Sequence, residues 1–214
     1  MNDKEFIKKF STSLEIETNR YSCLILALHD ARKIAARDIN GNIPGNILEN
    51  DQSMLNPYSF IGVINYLLIL DLIGEVFCLK TFSTTSTNNI YKALKQFSNS
   101  KDNDISTIIA LRNSLAHNYG LVNIPVDSKE NASKRHKFIL INSKTNDLIK
   151  YQTLWDGNYS DKSDDSSTQI SIIKLQDLIE TVYNNLVIGI EQDTVDLALK
   201  KGLDELKSRF TVRN

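Results

Sequence analysis

A nearly unbroken apolar run, Phe60 to Leu79, leaves this chain few ways to fold. The run is twenty residues long, which is about the length that a helix needs to cross a bilayer. It also holds Asn65, Asp71 and Glu75. Carboxylates near the middle of a membrane span cost about 2.5–3.5 kcal/mol each, whereas a helix in a water-soluble core can turn them outward. We therefore expect a buried core helix and no membrane span.

Apolar residues recur at helical spacing on both sides of this run. Before it, Phe6, Phe10 and Leu14 begin an amphipathic pattern that we expect to break near residues 18–20. After it, a helix is expected to end at Gly120, because glycine readily takes the left-handed conformation that closes a helix. The whole pattern predicts six helices, at about 3–39, 57–79, 90–98, 104–119, 175–190 and 195–210.

The period of the pattern changes after the fourth predicted helix. Phe138–Ile141 and Leu148–Tyr151 are short strand-like runs on either side of a polar turn, which predicts a β-hairpin. A polar loop at 156–168 follows, and Trp155 is the expected anchor of this loop. A third short strand is expected near 169–173.

These elements predict a mainly α fold, a helical bundle with a small β-hairpin insertion between its fourth and fifth helices. The chain has 214 residues, of which 41% are hydrophobic, and this is enough for one domain with a proper core. We expect a single domain, 1–214, with a helical core of about 1–122 and 174–212 and an insertion of about 126–173.

Composition argues against several classes of function. Cys23 and Cys78 lie in apolar helical stretches, where cysteine behaves as a small hydrophobic residue, so neither a disulfide framework nor a zinc site is predicted. We expect no metal and no cofactor. The first ten residues are charged and have no apolar signal segment behind them, which predicts a cytoplasmic protein. A net charge of −1 gives no general attraction to nucleic acid, so any RNA contact must come from a local patch.

The fourth predicted helix has two distinct sides. One side is an apolar stripe that should pack on the bundle, made of Ile108, Leu111, Leu115, Tyr119 and Val122. Asn113 and His117, four residues apart, lie together on the opposite side. Arg112 lies at the margin of the stripe. The helix is therefore expected to present Asn113 and His117 to solvent or to a bound molecule.

The segment from Arg112 to His117 resembles the signature of the HEPN superfamily (higher eukaryotes and prokaryotes nucleotide-binding), in which an arginine and a polar residue precede a histidine. Tyr119, two residues after the histidine, is similar to the extended motif of HEPN toxins that pair with nucleotidyltransferase antitoxins. The resemblance implies a HEPN-like helical bundle and a metal-independent endoribonuclease in a toxin–antitoxin or phage-defence setting. It also implies that Tyr119 lines the cleft or is a site of nucleotidylation. The motif covers about residues 111–121, and the helical layout covers most of the chain.

The chemistry of RNA cleavage suits these residues. RNA carries its own nucleophile, the 2′-hydroxyl, so protein groups need only move a proton and stabilise the charge that grows on the phosphate. His117 can act as general base or acid, because an imidazole ordinarily has a pKa of about 6.5. Arg112 offers a planar, permanently charged group to phosphate oxygens, and Asn113 can orient the histidine or the phosphate. The resemblance implies a 2′,3′-cyclic phosphate product.

One subunit is not expected to suffice. An arginine and a histidine five positions apart on a helix diverge by about 140 degrees, so one helix cannot easily direct both at one phosphate. Two copies facing each other across a twofold axis can do so. HEPN proteins characteristically form such dimers, and the resemblance therefore implies a homodimer with a composite cleft.

Three further interpretations stay open at the level of sequence. Lys134, Arg135 and Lys137 lie in a basic run that could guide the RNA backbone, or could be a solvated charged loop before the hairpin. Tyr119 could equally be a half-buried packing residue whose hydroxyl reaches the cleft. The domain as a whole could be a non-catalytic HEPN-like module that binds a protein or nucleotide, or a helical scaffold with a motif that arose by chance.

Overall fold

A computed structural model describes residues 1–44, 59–124, 135–141, 147–152, 155–161 and 163–213. The chain falls into two compact units. Unit 1 comprises Met1–Ser100 and Asp177–Asn214, and unit 2 comprises Lys101–Gln176. Within the described ranges, every helix is either too short or too polar to span a bilayer.

The structure is mainly α, as the sequence predicts. Its helices and short strands, labelled in chain order, are α1 (Asp3–Thr12), β1 (Glu15–Glu17), β2 (Arg20–Ser22), α2 (Cys23–Ile34), α3 (Phe60–Val76), β3 (Phe77–Leu79), α4 (Asn89–Phe97), α5 (Asp102–Asn118), β4 (Val122–Asn123), β5 (His136–Ile141), β6 (Ile149–Lys150), β7 (Thr168–Ser171), α6 (Ile172–Glu191), β8 (Val195–Leu197), α7 (Gly202–Arg209) and β9 (Thr211–Arg213). A short 3-10 helix covers Asp164–Ser166.

Most of the apolar run forms α3, the central buried helix of unit 1. The last three residues of the run, Phe77–Leu79, form β3, so the predicted helix end at residue 79 is wrong. Ser59 caps its start, because the Ser59 hydroxyl accepts the Gly62 N–H at 3.2 Å. The helix packs against α2 and α4, and Gly74 lies directly against the backbone of Asn89 at the start of α4. Glu75 is turned to the edge of the core, where its carboxylate accepts from Asn89 and pairs with Arg209 at 3.0 Å. The expectation of a buried helix that turns its carboxylates outward is confirmed at Glu75.

The chain on either side of α3 contains more strand than expected. The predicted 3–39 helix is two helices, α1 and α2, separated by the antiparallel pair β1 and β2, so the expected break is confirmed. The predicted 195–210 helix is wrong in its first half, because β8 pairs with β3 and only Gly202–Arg209 is helical. A third strand, β9, pairs with β2.

Unit 1 holds a buried charged cluster, which we define as Arg32, Arg37, Tyr66, Asp177 and Glu180. The Glu180 carboxylate accepts from Nε and Nη2 of Arg32 at 2.9 and 2.6 Å, and from the Tyr66 hydroxyl at 2.7 Å. Arg37 pairs with Asp177 at 2.8 Å. Burial, reinforced by the charge of Glu180, raises the pKa of Tyr66, so its hydroxyl stays protonated and donates. The cluster thus ties α2, α3 and α6 together.

Unit 2 contains α5 and a four-stranded sheet with the strand order β4-β5-β7-β6. The predicted hairpin of β5 and β6 is wrong, because β7 lies between them, parallel to β5 and antiparallel to β6. The central strand β7 buries Thr168, Ile170 and Ser171. The third strand expected near 169–173 is thus confirmed as β7, and the error lies in the pairing, because local sequence does not indicate that β7 lies between β5 and β6.

The helix that carries the motif lies in unit 2, with the sheet. The sequence instead suggests that this segment belongs to the helical core, with an insertion that starts after residue 122. The unit boundary precedes α5 at Lys101 and falls within α6, whose first turn belongs to unit 2. The candidate site must therefore be built from unit 2.

Candidate functional site

The motif helix α5 forms where the sequence predicts it. Asp102 and Asp104 lie in its first turn, where negative charge interacts favourably with the partial positive charge of a helix N-terminus. Three members of the predicted apolar stripe are buried, with 0–1% of their surface exposed, namely Ile108, Leu111 and Leu115. The stripe is thus confirmed along the body of the helix.

A second side of α5, which the sequence does not reveal, is also buried. Thr107 and Ser114 are each only 1% exposed, and Ala110 between them is 8% exposed. The two hydroxyls donate back to the carbonyls of Asn103 and Ala110, both at 2.9 Å, so burying them leaves no unpaired donor. Serine and threonine count as polar in a helical wheel, so apolar periodicity does not mark this side of the helix. Only the spacing of Thr107, Ala110 and Ser114, which are three and then four residues apart, could have indicated that this side is buried.

Arg112 and Asn113 lie together on α5 and are half-buried. The Arg112 Nη1 and the Asn113 Oδ1 are 3.4 Å apart, which is long for a hydrogen bond between these groups. The backbone of His117 lies in α5 one turn beyond Asn113, and its side chain lies outside the described residues. The fold therefore brings the arginine and the amide into contact and places the histidine on the same helix.

Tyr119 ends the motif helix in a way that the sequence does not predict. Its backbone is left-handed, with φ 48° and ψ 31°, and its N–H bonds the Leu115 carbonyl at 3.2 Å. The expected closure at Gly120 is wrong, because the tyrosine takes the left-handed position one residue earlier, a conformation that costs a non-glycine residue about 1–2 kcal/mol. The ring is 72% exposed, so Tyr119 is not the packing residue that its place in the stripe suggested.

Two of the three cations proposed to contact RNA make contacts inside unit 2. Arg135 donates from Nη1 to the Asp156 carbonyl at 2.7 Å. Lys137 donates from Nζ to the Asp161 carbonyl at 2.6 Å and to the Ser166 hydroxyl at 2.7 Å. Lys134 lies outside the described residues. The two side chains hold the polar loop against β5, and an RNA contact stays a prediction.

Trp155 anchors the same loop, which confirms its expected role. Its side chain is fully buried, and its indole N–H donates to the Asn158 carbonyl at 3.0 Å. The Tyr159 ring meets it edge-on, with 5.6 Å between the centroids. The loop is therefore fixed at its start by the tryptophan and along its length by Arg135 and Lys137.

His136 is a buried histidine that the sequence conceals inside the basic run. It is 8% exposed, its Nδ1 lies 3.0 Å from the Thr168 hydroxyl, and its ring stacks on Phe138 with 5.1 Å between the centroids. Burial lowers the pKa of His136, because the apolar surroundings disfavour the imidazolium. The alternation of His136 and Phe138 along β5 was the available signal of a residue facing the core.

This burial makes the stability of the protein pH-dependent. Because the folded state holds His136 neutral, its contribution is fully present above the ordinary histidine pKa of about 6.5 and is lost as the pH falls below it. We expect a lower urea midpoint at about pH 5.5 than at about pH 7.5, followed by the fluorescence of Trp155. The variant His136→Gln should show a smaller difference between the two pH values. An equal difference in both proteins would contradict this assignment.

The described residues contain no group of three or more His, Cys, Asp and Glu side chains placed to hold a metal ion. Cys23 and Cys78 are unpaired and partly buried, and burial raises the pKa of both thiols. Such thiols are poor nucleophiles near neutral pH.

No protein-family model, curated protein or solved structure matches this chain. The function is accordingly inferred from the motif and from the geometry of α5.

Proposed function

We propose that this chain is a metal-independent endoribonuclease of the HEPN type, with Arg112 and His117 as its catalytic residues. The contact between Arg112 and Asn113 on α5, one turn before His117, is the observation that supports the proposal best. Burial of two other sides of the helix fixes its orientation in unit 2, and a fixed helix can hold reacting groups in place.

The reaction needs one proton removed and one delivered. His117 takes the proton of a ribose 2′-hydroxyl, whose oxygen then attacks the adjacent phosphorus. The bond from phosphorus to the 5′-oxygen breaks, and that oxygen takes a proton from a water molecule. Arg112 stabilises the negative charge on the phosphoryl oxygens, and Asn113 orients either His117 or the phosphate. The products are a 2′,3′-cyclic phosphate and a 5′-hydroxyl.

The active form in this proposal is a twofold homodimer. Arg112 and His117 diverge by about 140 degrees around the axis of α5, so each phosphate is held by the arginine of one subunit and the histidine of the other. Tyr119, exposed at the end of the same helix, is accessible to a nucleotidyltransferase antitoxin. A cytoplasmic toxin or phage-defence protein fits this arrangement.

One observation favours a second candidate, a non-catalytic module that binds a protein or nucleotide. Arg135 and Lys137 are engaged inside unit 2, and the chain as a whole carries a net charge of −1. RNA binding ordinarily relies on cations that are free to neutralise phosphates. In this alternative Arg112, Asn113 and Tyr119 form a recognition surface and no bond is broken.

Cleavage of RNA in excess EDTA separates the two candidates. We expect the wild type to cleave single-stranded or structured RNA and to leave 2′,3′-cyclic phosphate ends, detected by mass spectrometry. The variant His117→Ala should be slower by about 10²–10⁴-fold, the usual loss when a general acid or base is removed. Ser106→Ala, an exposed position on the same helix, is the matched control and should cleave like the wild type.

A mixture of two inactive variants tests the composite site in the same assay. Subunits of Arg112→Ala and His117→Ala, refolded together, should regain part of the wild-type rate. Each mixed dimer holds one intact site, made of the histidine of the first variant and the arginine of the second. Absence of cleavage by a folded wild-type protein would reject the nuclease proposal and favour the binding module. Cleavage without rescue in the mixture would place the pair within one subunit.

A further inference from the structure

Tyr119 is exposed because its backbone is left-handed. In a continued helix its side chain would lie in the apolar stripe of α5, as the helical pattern predicts. A rotation of about 110 degrees about the N–Cα bond separates the observed φ of 48° from the helical value of about −63°. This rotation changes the direction in which the side chain leaves the helix, and the residue is 72% exposed. The chain thus loses stability twice, once through backbone strain and once because an aromatic ring stays in water.

The residues on either side of Tyr119 could take this backbone with less strain. They are Asn118 and Gly120, and asparagine and glycine are the residue types that adopt left-handed backbone most readily. Two hydrogen bonds nevertheless fix the turn at the tyrosine, from the Tyr119 N–H to the Leu115 carbonyl and from the Gly120 N–H to the Ser114 carbonyl, both at 3.2 Å. Strained backbone of this kind concentrates at functional positions, where a contact with a ligand offsets its energetic cost.

The Tyr119 ring is open to a bound molecule. Tyr66 and Tyr183 donate from their hydroxyls to acceptors in the core of unit 1. The Tyr119 side chain, by contrast, forms no hydrogen bond and no ring contact with a described residue. Its backbone lies two residues beyond that of His117, a rise of about 3 Å along the helix axis. An aromatic face is therefore available beside the proposed catalytic histidine.

We propose that Tyr119 stacks on a nucleobase next to the scissile phosphate and so holds RNA in the site. This inference rests on the ribonuclease proposal and adds a substrate-binding residue to it. Every base presents a flat π face, so stacking on a tyrosine needs no cation and selects no particular sequence. Such a contact suits a chain with a net charge of −1, in which Arg135 and Lys137 are engaged inside unit 2.

A binding assay on the full chain tests this contact without any cleavage. The first probe is a short fluorescent single-stranded RNA in which every 2′-hydroxyl is methylated, so that the nucleophile is blocked. The second probe has the same backbone and length but no bases. The wild type should bind the first probe more tightly than the second. Tyr119→Gly should weaken binding of the first probe by roughly tenfold and leave the second unchanged. Tyr119→Phe keeps the ring and should bind both probes like the wild type.

Two controls separate a binding role from a structural one. Tyr119→Gly should unfold at the same urea concentration as the wild type or at a higher one, because glycine takes left-handed backbone without strain. Tyr159→Ala removes a tyrosine of unit 2 that is 69% exposed but packs on Trp155, and it should bind both probes like the wild type. Unchanged binding of the first probe by Tyr119→Gly, an equal loss for both probes, or weakened binding by Tyr119→Phe would overturn the inference.

The cleavage assay in EDTA distinguishes failure of this inference from failure of the proposed function. A KM that rises roughly tenfold in Tyr119→Gly, with little change in kcat, supports both. Cleavage by Tyr119→Gly at the wild-type KM overturns the inference alone. If the wild type binds the first probe through Tyr119 but cleaves no RNA, the ribonuclease proposal fails and the stacking contact stands. If the wild type binds no RNA, both are overturned.

Discussion

Replacing Gly74 with alanine should lower the free energy of unfolding by about 3 kcal/mol or more. A Cβ at this position would lie 1.9 Å from the carbonyl oxygen of Asn89 and 2.6 Å from its carbonyl carbon. These are backbone atoms at the start of α4, so no side-chain rotation relieves the overlap, and α3 and α4 must move apart. Urea unfolding followed by far-UV circular dichroism measures the loss.

Gly62 provides the matched control on the same helix. An added Cβ there meets its nearest atom, the Ser59 Cβ, at 3.4 Å, which is ordinary contact. Gly62→Ala should therefore be neutral or stabilising by up to about 1 kcal/mol, because alanine loses less backbone entropy than glycine in a helix. If both alanine variants unfold at the same urea concentration, the close approach of α3 and α4 is not a determinant of stability.

Removing the Glu180 carboxylate should be comparably severe. In Glu180→Ala the Arg32 guanidinium stays largely buried with no carboxylate beside it, and the Tyr66 hydroxyl loses its acceptor. Breaking a buried ion pair from one side typically costs about 3–5 kcal/mol, since the remaining charge is uncompensated. The same urea experiment measures the effect, and Glu180→Gln should fall between the alanine variant and the wild type.

Asp193→Asn is the control for the charge itself, because asparagine tolerates the left-handed backbone of this position, where φ is 55°. Asp193 also pairs with two cations, Lys4 at 2.8 Å and Lys80 at 3.1 Å, but its side chain is 55% exposed. Exposed pairs contribute less than about 1 kcal/mol. If the Asp193 variant lost as much free energy of unfolding as the Glu180 variants, the charge of the carboxylate, and not its burial, would determine the loss of stability.

Much of the helical part of the fold follows from local sequence. The apolar run at Phe60–Leu79 and the periodic segment that becomes α5 are long, and their capping and spacing are properties of the segment alone. For that reason both helices are predicted, although α3 ends at Val76 because Phe77–Leu79 pairs as a strand with β8. The contact of Arg112 with Asn113 was not predicted, because adjacent positions on a helix lie about 100 degrees apart around its axis and do not face each other.

Strand pairing could not be predicted in the same way. The segment Thr168–Ser171 becomes a central strand because β5 and β6 flank it in space, and Val195–Leu197 is extended because β3 is its neighbour. These partners are distant in sequence, so tertiary context overrides local preference. The contact of His136 with Thr168 depends on such pairing, so it is not visible in either segment alone.

Unit 1 is assembled from two stretches of chain that the whole of unit 2 separates. The ribosome synthesises the first stretch early. In that stretch β2 stays unpaired until β9, its partner at Thr211–Arg213, has been synthesised. Until α6 is synthesised, Arg32 and Tyr66 also lack the carboxylate that they share. Long-range pairing of this kind slows folding and leaves apolar surface open to aggregation. The nascent chain is therefore expected to depend on chaperones until β9 emerges.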